Sequence, residues 1–411
     1  MIPDGWELKR LQDSGIAVID GDRGKAYPSS DDYFRNGYCL FLSAKNVTKA
    51  GFVFDECQFI TEAKHKQLRK GSVQPGDLVV TTRGTVGNVG YLLNLNGFEA
   101  VRINSGMVII RNSEDIIETD FLHTLFRSPI IERQVERMNF GSAQPQLTVK
   151  IINSLKLPIP PEGERQRITG ALETWNRAIE TVEALIANAR AQKHALMQQL
   201  LPQGTTPPKK RLPGFSGEWR ELRLGTAFTE RVERGEDGLA LLSVTQANGV
   251  IPQVDAGRRN ISSVDQSKYK TVCAGDIAYN TMRMWQGASA LSGLTGKVSP
   301  AYTVVTTRNG HDALFYSYLF KQPKMIHVFE RHSQGLVSDT WNLKFPHLAK
   351  IRIRVPGIEE QVAIAAAFKS VDDLIVAYEA QLTALRQEKA ALMQQLLTGK
   401  RRVKLPESEV A

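Results

Sequence analysis

At 411 residues with 42% hydrophobic content, the chain is long enough for two to three domains with real cores. A formal net charge of +9 points to an anionic partner such as nucleic acid, while three scattered cysteines, Cys39, Cys57 and Cys273, form neither a disulfide framework nor a Cys-x-x-Cys metal site. No apolar run approaches the roughly 18 residues of a membrane span, and Met1-Ile2-Pro3-Asp4-Gly5-Trp6 lacks the basic and apolar regions of an export signal, so a cytoplasmic protein is expected.

Residues 1–157 read as a first globular α+β domain opened by Gly5-Trp6-Glu7-Leu8. Short apolar runs between turn residues predict strands over 38–42, 77–81, 89–93 and 107–110. A helix follows over about 120–138, with Phe121, Leu122, Leu125, Phe126, Ile130 and Ile131 on its apolar side and Pro129 as a break. A last strand, 154–159, leads into a helical spacer over 158–203.

That spacer carries apolar residues at alternating three- and four-residue steps: Ile168, Leu172, Trp175, Ile179, Val182, Ile186, Ala189, Lys193, Leu196 and Leu200. About four heptads with one seam are a coiled-coil signal. Pro160-Pro161 marks the start, with Glu162 and Glu164 at the electropositive end of a rod about 60 Å long. A linker over 204–212, rich in proline and lysine, cannot continue the helix.

The chain then begins again. Ala195-Leu196-Met197-Gln198-Gln199-Leu200-Leu201 returns unchanged as Ala391-Leu392-Met393-Gln394-Gln395-Leu396-Leu397. A second domain over 213–354 opens with Gly217-Glu218-Trp219, answering Trp6. Pro75-Gly76-Asp77-Leu78 is answered by Ala274-Gly275-Asp276-Ile277, and Asn104-Ser105-Gly106-Met107 by Val298-Ser299-Pro300-Ala301-Tyr302. A second spacer over 355–400 repeats the seam as Ile364, Phe368, Val371, Ile375, Tyr378, Leu382, Leu385, Lys389, Leu392 and Leu396, before a basic tail over 401–411. The expected architecture is two α+β domains and two long helices paired as an antiparallel intramolecular coiled coil with pseudo-twofold symmetry. Centring that pair with Ile168 near Leu396 places Lys193 opposite Val371, beside Asp372, and Lys389 opposite Trp175. A carboxylate and an aromatic face would then receive the two ammonium groups.

No catalytic signature accompanies this repeat. There is no Gly-x4-Gly-Lys-[Ser/Thr] phosphate loop, no His-Glu-x-x-His, no Asn/Asp-Pro-Pro-aromatic tetrapeptide and no nuclease carboxylate cluster. Asp77 and Asp276 sit in Gly-Asp turns, where aspartate serves turn chemistry. The chain is read as one that binds and positions, with no metal and no cofactor of its own. Candidate DNA-contacting residues lie in the loops between the echoed strands. In the first domain they are Lys45, Asn46, Lys64, Lys66, Arg69, Lys70, Thr82, Arg83 and Arg102; in the second, Gln246, Arg258, Arg259, Lys268, Lys270, Arg283, Gln286 and Lys297. Arginine suits guanine, asparagine and glutamine suit adenine, and lysine suits phosphate.

Taken together, the Gly-Trp or Gly-x-Trp openings, the Gly-Asp-Leu/Ile elements, Pro160 and Pro356 four residues before Glu164 and Glu360, and the heptad helices resemble the specificity subunit of a type I restriction-modification system. The run Asn280-Thr281-Met282-Arg283-Met284-Trp285-Gln286-Gly287, followed by Ser299-Pro300-Ala301-Tyr302, is similar to that family's second target-recognition domain. Ser105-Gly106 departs from the Ser-Pro-Ala-Tyr form. The resemblance implies a non-catalytic subunit that reads a bipartite, asymmetric duplex. Its partners would be two methyltransferase subunits, which bring S-adenosylmethionine for adenine methylation, and motor-nuclease restriction subunits, which use ATP and magnesium. The rival readings are a protein-binding coiled-coil adaptor and a single-chain restriction enzyme whose active site has no recognised motif.

Overall fold

The computed structural model describes residues 2–114, 117–139, 146–235, 238–245, 249–257 and 267–403. It divides into two compact units: Met1–Thr181 with Leu382–Ala411, and Val182–Gln381. Each therefore contains one α+β domain, the beginning of one long helix and the end of the other. The helices run Glu162–Leu200 and Ile358–Leu397, each starting within two residues of its proline, with Glu162/Glu164 and Glu359/Glu360 in the first turn.

In the first unit, strand Glu7–Arg10 pairs antiparallel with Lys156–Ile159, so the domain's opening strand is tied to the strand that feeds the helix. A four-stranded antiparallel sheet runs in the order Ala17–Asp20, Met107–Arg111, Leu78–Thr81, Val89–Tyr91. A second sheet, ordered Phe59–Ile60, Cys39–Leu42, Ala100–Ile103, Ser72–Val73, contains one parallel pair, Cys39–Leu42 with Ala100–Ile103. Strand Leu78–Thr81 is buried along its whole length, with Val79 facing one hydrophobic cluster and Leu78 and Val80 another, as alternation requires. The helix expected over 120–138 is two, Thr119–Phe126 and Pro129–Asn139. Pro129 lacks the N–H that would continue the first and begins the second.

The second unit repeats the frame. Arg220–Arg223 pairs with Arg352–Val355, and the main sheet runs Phe228–Glu230, Tyr302–Thr307, Ile277–Asn280, Ser289–Leu291. That is the first unit's order, strand for strand. The second sheet is reduced to two separate antiparallel pairs, Leu242–Thr245 with Gly249–Pro252 and Lys270–Val272 with Gly296–Val298.

The helix seams are buried or half-buried at every expected position. Their outer ends are also domain core. Ile168 and Leu172 join Leu396 and Leu397 beneath the first domain, while Ile364 and Phe368 join Leu200 and Leu201 beneath the second. The pairing is antiparallel within each unit, since a helix start meets the other helix's end. At 0% exposure, Ile364 and Phe368 contribute about 1.5–3 kcal/mol each relative to exposed side chains. Among the described residues no helix is long and apolar enough to cross a membrane.

The polar seam positions correct one expectation. Lys193 Nζ lies 2.6 Å from Asp372 Oδ1. Lys389, expected against the ring of Trp175, instead bonds the neighbouring Asn176 side-chain oxygen. The aromatic contact falls to Lys193, whose ammonium sits 5.0 Å from the Tyr318 ring centroid. An oxygen acceptor satisfies a half-buried ammonium more strongly than a ring face, and Asn176 supplies one a residue away.

Candidate nucleic-acid interface

The central strands Leu78–Thr81 and Ile277–Asn280 are mounted in the same way. Each is preceded by a Gly-Asp turn whose aspartate is almost fully buried. Asp77 accepts from Gln74 N at 2.7 Å and receives the Arg111 guanidinium at 2.7 and 2.8 Å. Asp276 accepts from Cys273 N at 2.8 Å, from Arg231 Nε at 2.7 Å and from Thr306 Oγ1 at 2.7 Å. These aspartates hold the strand roots rather than perform chemistry.

At the other end of Leu78–Thr81, four loops converge. Thr82 N donates to Gly106 O at 2.7 Å, and Ser105 N donates to the Tyr27 hydroxyl at 3.2 Å. Asp22 accepts from Gly24 N and Arg69 N at 2.9 and 2.8 Å, and these two backbone donors, in that order, hold its carboxyl below the usual range. Gly21 allows the closest approach, because a Cβ there would lie 2.3 Å from Asn104 O. A 230 Å³ crevice at this end is lined by Asp20, Arg23, Thr82, Arg83, Gln146 and Lys150. The convergence brings exposed Arg69, Lys70 and Arg83 to one end of the sheet, joined by Arg23, Lys25 and Lys150, which sequence reasoning missed. The missing signal was the short strand Ala17–Asp20, whose following loop carries Arg23 and Lys25.

Several candidates are occupied elsewhere. Asn46 is 2% exposed, its carboxamide accepting from Ser43 N and donating to Val53 O and Glu56 O. Arg102, 5% exposed, donates to His65 Nδ1 and to the backbone oxygens of Lys70, His65 and Leu68. Both hold loops from within. Thr82 is buried, and Lys297 lies buried against Gly235. Lys45 pairs with Glu56, Lys64 with Asp32 and Lys66 with Glu62, all on the surface or near it, and Lys270 pairs with Glu230. A reading based on residue type cannot separate an arginine that braces a loop from one that faces outward.

In the second unit, the turn 281–288 connects Ile277–Asn280 to Ser289–Leu291. Thr281 N donates to Ala301 O at 3.0 Å, Leu343 N to Thr281 O at 2.8 Å, and Lys321 Nζ to Gly287 O at 2.9 Å. Trp285 is half-buried, its indole N–H donating to Met282 O at 2.9 Å and its ring edge-on to Trp341 at 5.4 Å between centroids. It braces the turn, while Arg283 and Gln286 are exposed on it, as is Lys268 on its own loop. Gln246, Arg258 and Arg259 lie outside the described residues.

Among the described residues, no group of three or more His, Cys, Asp or Glu could hold a metal ion. Cys39 is a poor nucleophile, since burial pushes its thiol up to about 12. What the two sheet ends offer is exposed guanidinium, ammonium and carboxamide groups on braced loops.

A family model for the type I restriction modification DNA specificity domain matches residues 3–189. The type I restriction enzyme MjaVIII specificity subunit of Methanocaldococcus jannaschii is 25% identical over 98% of this chain and 94% of its own. The EcoBI specificity subunit of Escherichia coli is 25% identical over 49% of this chain and 41% of its own. Among solved structures, a chain from work on complex assembly and conformational transition of the type I R-M system superposes with a TM-score of 0.61 at 19% identity, covering 98% of this chain and all of that one. The type I restriction-modification S subunit of M. genitalium gives 0.55 at 11% identity, with 98% and 97% covered.

Proposed function

We propose that the chain, whose residues 3–189 match the type I restriction modification DNA specificity domain and 98% of which aligns with a specificity subunit, belongs to that family and reads a bipartite duplex DNA site without catalysing a reaction. One observation carries the reading: the same four-strand sheet order occurs twice, and the loops at the ends of the two central strands differ in sequence, Arg83-Gly84-Thr85-Val86 against Arg283-Met284-Trp285-Gln286. A frame kept constant under different polar loops suits two unlike short blocks, one per domain. Phosphate contacts by lysines such as Lys70 and Lys268 would position each domain, and base-edge contacts would specify.

In this reading the chemistry belongs to partners in the cytoplasm. Two methyltransferase subunits would bring S-adenosylmethionine and methylate adenine, and restriction subunits would bring ATP- and magnesium-dependent translocation and cleavage. The long helices supply apolar surface for docking, with Leu374 42% and Val376 63% exposed.

The test is selection from random duplexes at fixed near-physiological salt, using the chain alone and co-expressed with a methyltransferase subunit. Two short blocks separated by an unread gap of constant length are expected. A single continuous block, or no enrichment with the partner present, would replace this reading with that of a protein-binding adaptor. Affinity should also fall steeply with salt as bound counterions are released.

A further inference from the structure

We propose that Arg83 and Arg283 are equivalent specificity-determining residues, each reading a guanine in its own block of the site. The proposal rests on the two-block DNA reading above and names the side chains that would carry it.

Their places in the fold correspond. Each central strand ends by pairing with the first residue of the neighbouring strand, Thr81 with Met107 and Asn280 with Tyr302. The next residue closes onto the turn before that neighbour, Thr82 N to Gly106 O and Thr281 N to Ala301 O. Arg83 follows Thr82 directly and Arg283 follows Thr281 after Met282, in turns covering 82–88 and 281–288. The single extra residue in the second turn accounts for the offset. The backbone bonding sets Thr82 against Thr281, so each arginine leaves its strand end at the start of an equivalent turn, one residue later in the second than in the first.

Each turn is braced. In the first, Asn88 N donates to Thr81 Oγ1 at 3.0 Å and Gly87 N to Thr81 O at 2.9 Å. In the second, Met282 N donates to Asn280 Oδ1 at 3.0 Å, beside the Trp285 and Lys321 bonds already described. The roots of the same strands are pinned by Asp77 with Arg111 and Asp276 with Arg231. A reader mounted on a rigid strand end holds its geometry before the ligand arrives.

The electrostatic contrast separates these two from the arginines committed to the protein, and their place at the end of a central strand separates them from exposed Arg69, which lies on the loop before Ser72–Val73. Arg102, Arg111 and Arg231 are committed to the protein, and Arg23 bonds Asp20 and Ser105 O. Arg83 and Arg283 are exposed, and neither guanidinium has a hydrogen bond or ion pair to another described residue. A planar fork with five donors in fixed geometry matches guanine O6 and N7 together, which a flexible ammonium group does with less directional constraint. Small exposed residues, Gly84 and Thr85, follow the first arginine, whereas exposed Met282 and Gln286 share the turn of the second, so their flanking bases would differ.

The experiment repeats the duplex selection with the full chain co-expressed with its methyltransferase partner, comparing wild type with Arg83→Gln, Arg83→Lys, Arg283→Gln and Arg283→Lys. Each Arg83 variant should lower the preference for one guanine in one block by about tenfold or more and leave the other block intact; Arg283 variants should do the reverse. The intact block reports that the variant is folded. The Lys variants should keep most of the affinity and retain more of the guanine preference than the Gln variants, though less than wild type. If all four variants retain both blocks at every position, with at most a uniform loss of affinity, these arginines contact phosphate and the inference is overturned while the two-block reading stands. If wild type selects no pair of blocks, the underlying reading fails and the inference with it.

Discussion

Lys193 and Asp372 meet across the helix pair within the second unit, ammonium to carboxylate at 2.6 Å, and Tyr318 closes the cluster by donating its hydroxyl to the other oxygen of Asp372 at 2.7 Å. The ring of Tyr318 also lies under the ammonium. One carboxylate thus links both helices to the helix Ala313–Leu319 of the domain they support. Asp372→Asn should lower stability by about 1–2 kcal/mol, the strength of charge-assisted bonds reduced by partial solvent screening. Lys193→Met should cost less, because methionine preserves the packing and Tyr318 still satisfies Asp372. Urea unfolding of the two variants checks the order; equal costs would mean that the tyrosine bond contributes nothing.

The helix starts are clamped alike. Arg211, just beyond the end of the first helix, forms a two-bond pair with buried Glu360 at the start of the second. Arg402, just beyond the second helix, pairs with buried Glu164 at the start of the first, and Trp6 Nε1 donates to the same carboxylate at 3.3 Å. Removing residues 401–411, or Arg402→Ala alone, should therefore destabilise the first unit by about 1–2 kcal/mol, allowing for the solvent exposure of the arginine and for the indole bond that remains. Arg211→Ala leaves Glu360 without the guanidinium and should lower the unfolding midpoint further. Comparing denaturant midpoints of the two alanine variants tests the difference.

The Gly-Asp turns make a third test. Asp276 is 2% exposed and holds Arg231, Cys273 N and Thr306 together. Asp276→Asn removes the charge but keeps the shape, leaving the Arg231 guanidinium only the exposed carboxylate of Glu233 as counterion. A loss of about 3 kcal/mol is expected, with DNA selectivity in the second block blurred at temperatures where the wild type is still sharp. Thermal melting and duplex selection on one preparation test both parts.

The large features of this fold were legible because each leaves a periodic or repeated trace. The heptad steps announced both helices, Pro160-Pro161 and Pro356 their starts, and the returning Ala-Leu-Met-Gln-Gln-Leu-Leu their equivalence. The partner of Lys193 followed from register alone. The partner of Lys389 did not, because a one-residue choice between Trp175 and Asn176 depends on which side chain can reach with an oxygen. Loop function was least legible. Asn46, Arg102 and Arg83 are all polar residues near strand ends, and only the bonding of the folded chain separates the first two, turned inward, from the third. The short strand Ala17–Asp20 carries too little alternation to be read, so Arg23 and Lys25 went unnoticed with it.

Acid should act on the first unit through His123. Its ring is 5.4 Å from that of Tyr91, and burial first, then the charges of Arg127 and Lys389, pushes it down to about 4 from an ordinary value of 6.5. Because the folded protein binds this proton less readily than the unfolded chain, the neutral ring's contribution is fully present above about pH 6.5. It is lost as pH falls through that value towards 4, a window worth about 3 kcal/mol at most. His123→Leu should keep the packing and flatten the pH dependence of unfolding between pH 6.5 and 4, at a modest cost at pH 7.5. Denaturant midpoints of wild type and variant at four pH values across that window provide the measurement. Parallel pH profiles would place the acid sensitivity in the carboxylate pairs instead.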